Sequence, residues 1–220
     1  MFDGFNSSTI KYFELIENHN DKQTFKQNEE LFFEGIQQPM EELFYELSNY
    51  VSAIDFDLSI NKRRCISSPY NDARFCRNRP IKEYIYIRFK VYNHSKENTI
   101  GIFFDAGKTN FKYGINIYDM NSHGMELIRK KILNNREKAR RLINQFDRNR
   151  TMQLAGKSYV KDNFPNEDVV LKNWLNKRTM SFYHMEEMNP VFFERALLEN
   201  MIYAYEDMKK VYFFIKEALN

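Results

Sequence analysis

The amino-acid sequence predicts an α+β fold, in which a mainly antiparallel sheet is packed by several long helices within a single domain of residues 1–220. Three observations predict it. Segments between residues 84 and 118 alternate apolar and polar side chains with period two, which is typical of half-buried strands. The regions before and after them repeat apolar residues at spacings of three and four, as amphipathic helices do. A chain of 220 residues that is 43% hydrophobic is also long enough to bury one core.

The N-terminal helices are predicted over residues 8–53. A first helix over 9–19 opens with serine and threonine capping residues, which favour a helix start. A longer helical region follows over 21–53, and its apolar residues recur at spacings of three and four. Pro39 is tolerable there at a kink or a break.

The sheet is predicted over about residues 63–118. Its alternating segments are 84–92, 99–106 and 112–118, and a last strand is expected over 179–184. Because strands joined by short loops pair antiparallel, these segments predict a meander.

Helices return after the meander. One helix is predicted over 122–146, with an apolar stripe on one side and most of its arginine and lysine residues on the other. A short helix is expected over 166–175. The pair Asn189-Pro190 is a strong start signal for a C-terminal helix over 190–219, because asparagine caps helices and proline suits the first turn.

Positive charge is concentrated in two blocks, although the net charge of the whole chain is only +3. Residues 1–60 are acidic, with 3 basic and 12 acidic side chains, whereas residues 61–90 carry 9 basic and 2 acidic ones. Residues 124–150 hold a second basic block of 9 against 3. The acidic N-terminal section could neutralise part of these blocks, so a ligand is one of two interpretations.

The densest part of the first block lies in the stretch PYNDARFCRNRPIKEY, residues 69–84. It is predicted to bind a small anionic or phosphate-bearing ligand through Asp72, Arg74, Arg77, Arg79 and Lys82. Arginine binds carboxylates and phosphates with two parallel hydrogen bonds, and an aspartate two residues before it can orient the guanidinium. Arg74 is expected to be partly buried and paired with Asp72. The alternative is a solvated turn whose cations pair with the acidic helices.

The same stretch carries a family resemblance. Residues 71–82, with Asp72-Ala73-Arg74-Phe75 at their core, resemble the signature of the bacterial family called domain of unknown function 2461. Asn71 stands where that family usually has arginine, so the chain is identified as a divergent member. The resemblance implies a shared α/β fold and no established activity. It also implies that Arg129 and Lys172 join the anion site.

Other chemistry finds little support in the sequence. Two cysteines are too few for a disulfide framework, and Cys76 is interpreted as a packed thiol. The four histidines have no metal-ligand spacing, so neither a metal nor a cofactor is expected. Phosphate-binding loops and hydrolase motifs are absent, so the sequence leaves open whether the protein is an enzyme.

Two further functions remain open. Non-specific nucleic-acid binding would use the basic helix 124–150 together with strand tyrosines as stacking surfaces. A protein-interaction module would use the phenylalanine- and tyrosine-rich surface. No signal peptide or apolar run of membrane-spanning length is found, so a soluble cytoplasmic protein without a membrane partner is expected.

Overall fold

The computed structural model of the chain describes residues 1–76, 78–92, 97–149 and 152–220. The predicted α+β class is confirmed, with a five-stranded antiparallel sheet of order β1-β2-β3-β5-β4. The strands are β1 (Tyr84–Lys90), β2 (Thr99–Gly107), β3 (Asn110–Tyr118), β4 (Gln153–Ala155) and β5 (Ser181–Glu187). The helices are α1 (Ser7–Asn18), α2 (Lys22–Gln27), α3 (Glu29–Phe32), α4 (Gln38–Ile54), α5 (Lys62–Cys65), α6 (Ser122–Asn134), α7 (Arg136–Arg148), α8 (Val169–Leu175) and α9 (Ala196–Leu219).

The sheet begins later than predicted. Residues 62–65 form the short helix α5 instead of a strand, and the thiol of Cys65 is buried and donates to the carbonyl of Ser59. Ile66 and Tyr70 each make only an isolated antiparallel bridge. The strand β4 was not predicted, because three residues are too few to show an alternating pattern. It pairs antiparallel with β5.

The helix predicted over 122–146 is wrong in one respect, because it is broken into α6 and α7 at Asn135. The backbone of Asn135 leaves the helical region, with φ −132° and ψ 43°. Its side-chain amide donates to the carbonyl of Lys131. Asparagine competes for local backbone groups in this way, which makes it a natural break between two helices.

The long N-terminal helical region is also interrupted. A π-helical turn over Phe33–Gln37 separates α3 from α4. Pro39 lies just after this interruption, in the first turn of α4, where proline is tolerated. Gly35 packs directly on α1, where a Cβ atom would lie 2.6 Å from the backbone of Ser8. The buried hydroxyl of Thr9 donates to the carbonyl of Gly35 at 2.6 Å. Contact with α1 thus accounts for a bulge at this point.

The C-terminal helix starts later than predicted. Asn189 does act as a cap, but the turn that it caps is a 3-10 turn over Pro190–Phe193. Glu194 is extended, with φ −129° and ψ 160°, and α9 follows from Ala196.

The chain forms two compact units. The first unit comprises residues 1–89, 103–113 and 185–202, and the second comprises 90–102, 114–184 and 203–220. The first is packed around aromatic rings: Phe5 stacks on Phe192 with ring centres 4.5 Å apart, and Phe44 stacks on Phe89 at 5.6 Å.

The core of the second unit includes the buried Trp174. Its ring centre lies 5.0 Å from that of Phe182 and 6.0 Å from that of Phe146. Rings from α7, α8 and β5 therefore meet at one point. Across the described residues, no helix combines the length and the apolar character needed to cross a membrane.

Candidate functional site

The basic turn is a closed loop. The backbone N–H of Asn71 donates to the carbonyl of Pro80, and that of Lys82 donates to the carbonyl of Pro69, both at 2.8 Å. The side chain of Asn71 donates to the carbonyls of Arg79 and Ile81. These bonds hold the two ends of the loop together and leave residues between them at its tip.

Asp72 and Arg74 form the predicted pair at this tip. Arg74 donates to both carboxylate oxygens of Asp72, with Nε at 3.0 Å from Oδ1, and these hydrogen bonds lower the pKa of Asp72. The predicted burial of the pair is wrong, because the side chain of Arg74 is 80% exposed and that of Asp72 is 43% exposed. A tip that projects from a closed loop has no neighbouring element to cover it. Exposed ion pairs contribute little to stability. In this pair the carboxylate of Asp72 also balances the charge of Arg74.

Arg79 is held by the body of the first unit. Its guanidinium donates to the carbonyl of Glu17 at 3.1 Å and forms an ion pair with Glu83. The contact with α1 is to a backbone carbonyl, and the ion-pair partner Glu83 lies outside the acidic N-terminal helices, so for Arg79 the alternative of pairing with those helices stays a prediction. Arg77 lies outside the described residues.

Lys82 has different surroundings from the other cations of the turn. Its Nζ donates to the carbonyl of Ser68 at 2.8 Å and lies 5.3 Å from the ring centre of Tyr86. Partial burial, and then the nearby charge of Arg88, lower the pKa of Lys82. Within the described parts of the chain it forms no ion pair with a carboxylate. The ammonium group of Lys82 is thus partly desolvated and lies close to a second positive charge.

Lys82 lies between the basic turn and one face of the sheet, because it contacts the ring of Tyr86 in β1. The guanidinium of Arg88 lies over the ring of Tyr86, with Cζ 3.8 Å from the ring centre. The rings of Tyr84 and Tyr86 stack at 6.2 Å. We define the basic sheet face as the surface formed by Lys82, Tyr84, Tyr86, Arg88, Asp105 and Lys112.

Asp105 is the acidic member of the basic sheet face. Its Oδ1 lies 3.6 Å from Nε of Arg88, and its Oδ2 lies 3.6 Å from Nζ of Lys112. The side chain is only 16% exposed, and burial raises its pKa despite the two cations. Oδ1 makes no hydrogen bond with any described residue. A poorly solvated carboxylate therefore lies between two cations.

Sequence reasoning missed Asp105, Arg88 and Lys112 as site residues. A signal was present, because Asp105 is the one charged residue in the otherwise apolar strand TIGIFFDAG. Period-two alternation also put Tyr84, Tyr86 and Arg88 on one side of β1. The pairing across strands that joins these residues was not visible in the sequence.

Arg129 and Lys172 belong to the second unit, and each has partners there. The buried Arg129 donates to the carbonyls of Leu175 and Lys177, at 2.9 and 2.6 Å. It thus satisfies carbonyl groups at the C-terminal end of α8. That Arg129 and Lys172 join the anion site of the turn stays a prediction.

Lys172 forms an ion pair with Asp162 at 3.0 Å. Hydrogen bonds from the amide of Asn176 and the backbone of Phe164, together with Lys172, lower the pKa of Asp162 to about 2. Lys172 therefore helps to hold residue 162 against α8.

Part of the basic helix region is neutralised by ion pairs. Arg136 pairs with Glu167 at 2.6 Å, and Arg140 pairs with Glu137 at 2.7 Å. Lys131 pairs with Glu217 at 2.7 Å, and Arg129 is buried. Arg150, the last cation of this block, lies outside the described residues. Lys130, Lys138, Arg141 and Arg148 are exposed. Burial and ion pairs thus remove only part of the cationic surface expected for this region.

The two thiols differ in their surroundings. Cys65 is buried, and burial raises its pKa to about 11, which disfavours the nucleophilic thiolate. Cys76 is exposed near the tip of the basic turn, so the packed thiol predicted there is wrong. Among the residues that the structure describes, no three His, Cys, Asp or Glu side chains lie close enough together to hold a metal ion. His94 lies outside them.

Comparison with known proteins supports the predicted resemblance. Residues 8–214 of the 220 match the family described as Conserved hypothetical protein (DUF2461). A search among curated proteins finds no match. The family match includes residues 71–82, on which the resemblance was based, and covers most of the chain. The chain therefore belongs to the DUF2461 family.

Proposed function

We propose that this protein binds a small dianion, either a phosphate monoester or a dicarboxylate, on the basic sheet face. The observation that carries the proposal is the convergence of Lys82 and Arg88 on one tyrosine ring. Like charges this close repel each other, and the repulsion contributes to the lowered pKa of Lys82. A bound anion would relieve it.

The charge balance of the face favours an anion. Lys82, Arg88 and Lys112 supply three positive charges, and Asp105 is the single acidic member. Because burial raises the pKa of Asp105, its negative charge is already disfavoured. Phosphate and carboxylate groups accept the charge-assisted hydrogen bonds that lysine and arginine donate.

The tyrosines suit a ligand with a flat or apolar portion. The ring of Tyr84 is 45% exposed and stacks beside that of Tyr86, whose other neighbours are the two cations. Exposed aromatic rings next to cations provide both a packing surface and charge. This placement moves the site from Arg74 at the loop tip to Lys82 at the loop base.

The test is calorimetric titration with inorganic phosphate, sugar phosphates and dicarboxylates. Lys82→Gln removes a cation of the face, and Arg74→Gln is the matched control because it removes one positive charge from the tip of the same loop. We expect Lys82→Gln to weaken binding about tenfold or more, since a charge-assisted hydrogen bond contributes about 1.5–3 kcal/mol. The affinity of Arg74→Gln should equal that of the parent.

Two outcomes would overturn the proposal. Loss of binding in Arg74→Gln but not in Lys82→Gln would return the site to the Asp72–Arg74 pair. Absence of heat with every anion, checked by a thermal-shift assay on the same panel, would leave the basic sheet face without a ligand of this class.

A further inference from the structure

The second unit has a groove between α7 and α9. It is a groove of about 760 Å³, within the range usual for small-molecule sites. Leu142 from α7 and Phe213 and Phe214 from α9 supply its apolar lining. Charged side chains of both helices surround that lining.

The acidic groups that line this groove are already engaged. Glu206 pairs with Lys209 at 2.7 Å, and Asp207 accepts a hydrogen bond from the amide of Asn149. Glu217 pairs with Lys131 at 2.7 Å, which lowers its pKa.

The basic groups that line it are less fully compensated. Arg141 is exposed and forms no ion pair or side-chain hydrogen bond with another described residue. Lys210 donates to the uncharged amide oxygen of Gln145 at 3.2 Å, and its charge acts on the carboxylate of Asp207. Lys138 contributes a further charge on the same side of α7 as Arg141. Positive charge thus remains beside an apolar lining.

We infer that this groove binds a single-chain anionic amphiphile, which has a carboxylate or phosphate headgroup and an aliphatic tail. The tail would cover Leu142 and Phe213, which are only partly buried, since burying apolar surface is favourable. Phe214 is already buried and adds an apolar wall to the groove. The headgroup would accept hydrogen bonds from Arg141 and Lys210. A nucleic-acid strand would use the charges but leave the apolar lining uncovered.

The inference is tested with dodecyl phosphate and laurate, titrated into the full chain below their micelle-forming concentrations. Dodecanol tests the need for the charge, octyl phosphate tests the need for the long tail, and inorganic phosphate tests the headgroup alone. We expect the two charged twelve-carbon probes to bind at least about tenfold more tightly than any of these three.

The variants separate a specific headgroup contact from general electrostatics. Arg141→Glu should weaken dodecyl phosphate binding about tenfold or more, because it replaces attraction by repulsion. Arg148→Glu is the matched control, since it makes the same charge change at another exposed position of α7 and should bind as the parent does. Laurate is neither a phosphate monoester nor a dicarboxylate, so Lys82→Gln should bind laurate as the parent does, which separates this site from the basic sheet face.

Several results would contradict the inference. Equal binding of dodecanol would show that the groove selects no headgroup. Equal losses in Arg141→Glu and Arg148→Glu would show attraction by the net charge of the helix alone. Absence of binding by both dodecyl phosphate and laurate would show that the groove does not bind this class of ligand.

Discussion

At the scale of single residues, Asp105 illustrates how burial and charge compete. Two cations 3.6 Å away favour its ionised form, yet loss of water disfavours that form more strongly, and its pKa is raised. The folded state therefore binds a proton at Asp105 more readily than the unfolded state does. At neutral pH, the ionised carboxylate costs folding free energy, and this cost falls as the pH is lowered through the folded pKa toward 3.8.

Asp105→Asn should therefore be at least as stable as the parent at pH 7, because the amide resembles the protonated acid. The advantage of the variant should shrink as the pH falls toward 4, where the parent gains its proton. Urea unfolding of both proteins across this range measures the difference. A variant that is clearly less stable at pH 7 would show that the ion pairs with Arg88 and Lys112 outweigh desolvation.

Thr9 is a second residue whose buried hydrogen bond is expected to stabilise the fold. Thr9→Val keeps the shape of the side chain but leaves the carbonyl of Gly35 without this donor and the backbone N–H of Asn6 without its acceptor. We expect a loss of about 1–3 kcal/mol in unfolding free energy, the usual cost of a buried group left unsatisfied. Thr9→Ser retains the hydroxyl and serves as the control. Equal stability of Thr9→Val and Thr9→Ser would show that the two hydrogen bonds of the hydroxyl contribute nothing.

At the scale of elements, the contact between β3 and β5 depends on a glycine. A Cβ atom at Gly114 would lie 2.0 Å from the carbonyl oxygen of Phe182 and 2.7 Å from Cα of Tyr183. Both are backbone atoms, which cannot move aside without separating the strands. β3 and β5 are therefore close neighbours only while residue 114 has no side chain.

Gly114→Ala should lower the free energy of unfolding by about 3 kcal/mol or more, at the upper end of the cost of overpacking. Gly107→Ala is the matched control in β2, because its Cβ would meet its nearest neighbour at an ordinary 3.6 Å. Chemical denaturation measures both. Similar stabilities for the two variants would mean that the sheet accommodates the extra carbon atom.

At the scale of the whole molecule, the distribution of charge decides which partners are favoured. The net charge of +3 is small, and Arg136 and Arg140 of the basic helices pair with carboxylates. These pairs reduce the number of cations of that block that are available to neutralise the phosphates of a strand. Discrete sites for small anions agree better with this arrangement than a long polyanion does.

Single-stranded DNA and RNA should consequently bind weakly, with a Kd above about 10 μM at physiological salt. The slope of log K against log salt should correspond to no more than about two phosphates, at about −0.7 per phosphate. Reversing the charges of Arg136 and Arg140 should change the affinity little. Sub-micromolar binding that depends steeply on salt and is lost in these variants would establish the nucleic-acid function instead.

The sequence alone determined the fold class, the positions of β1, β2, β3 and β5 and the family. Period-two and period-3.6 patterns depend on neighbours a few residues away, so a single chain displays them. The signature around Asp72 and Arg74 is equally local. The place of Pro39 in the first turn of α4 also follows from the geometry of one ring.

Only the tertiary structure decided which charges are exposed, paired or crowded. Arg88 meets Asp105, and Arg129 meets the end of α8, across separations that no local pattern encodes. The end of the first basic helix at Asn135 and the π-helical turn at Gly35 likewise depend on hydrogen bonds and packing that compete with helix propensity. A charge acquires its role from the groups that surround it in space, and those groups are brought together by folding.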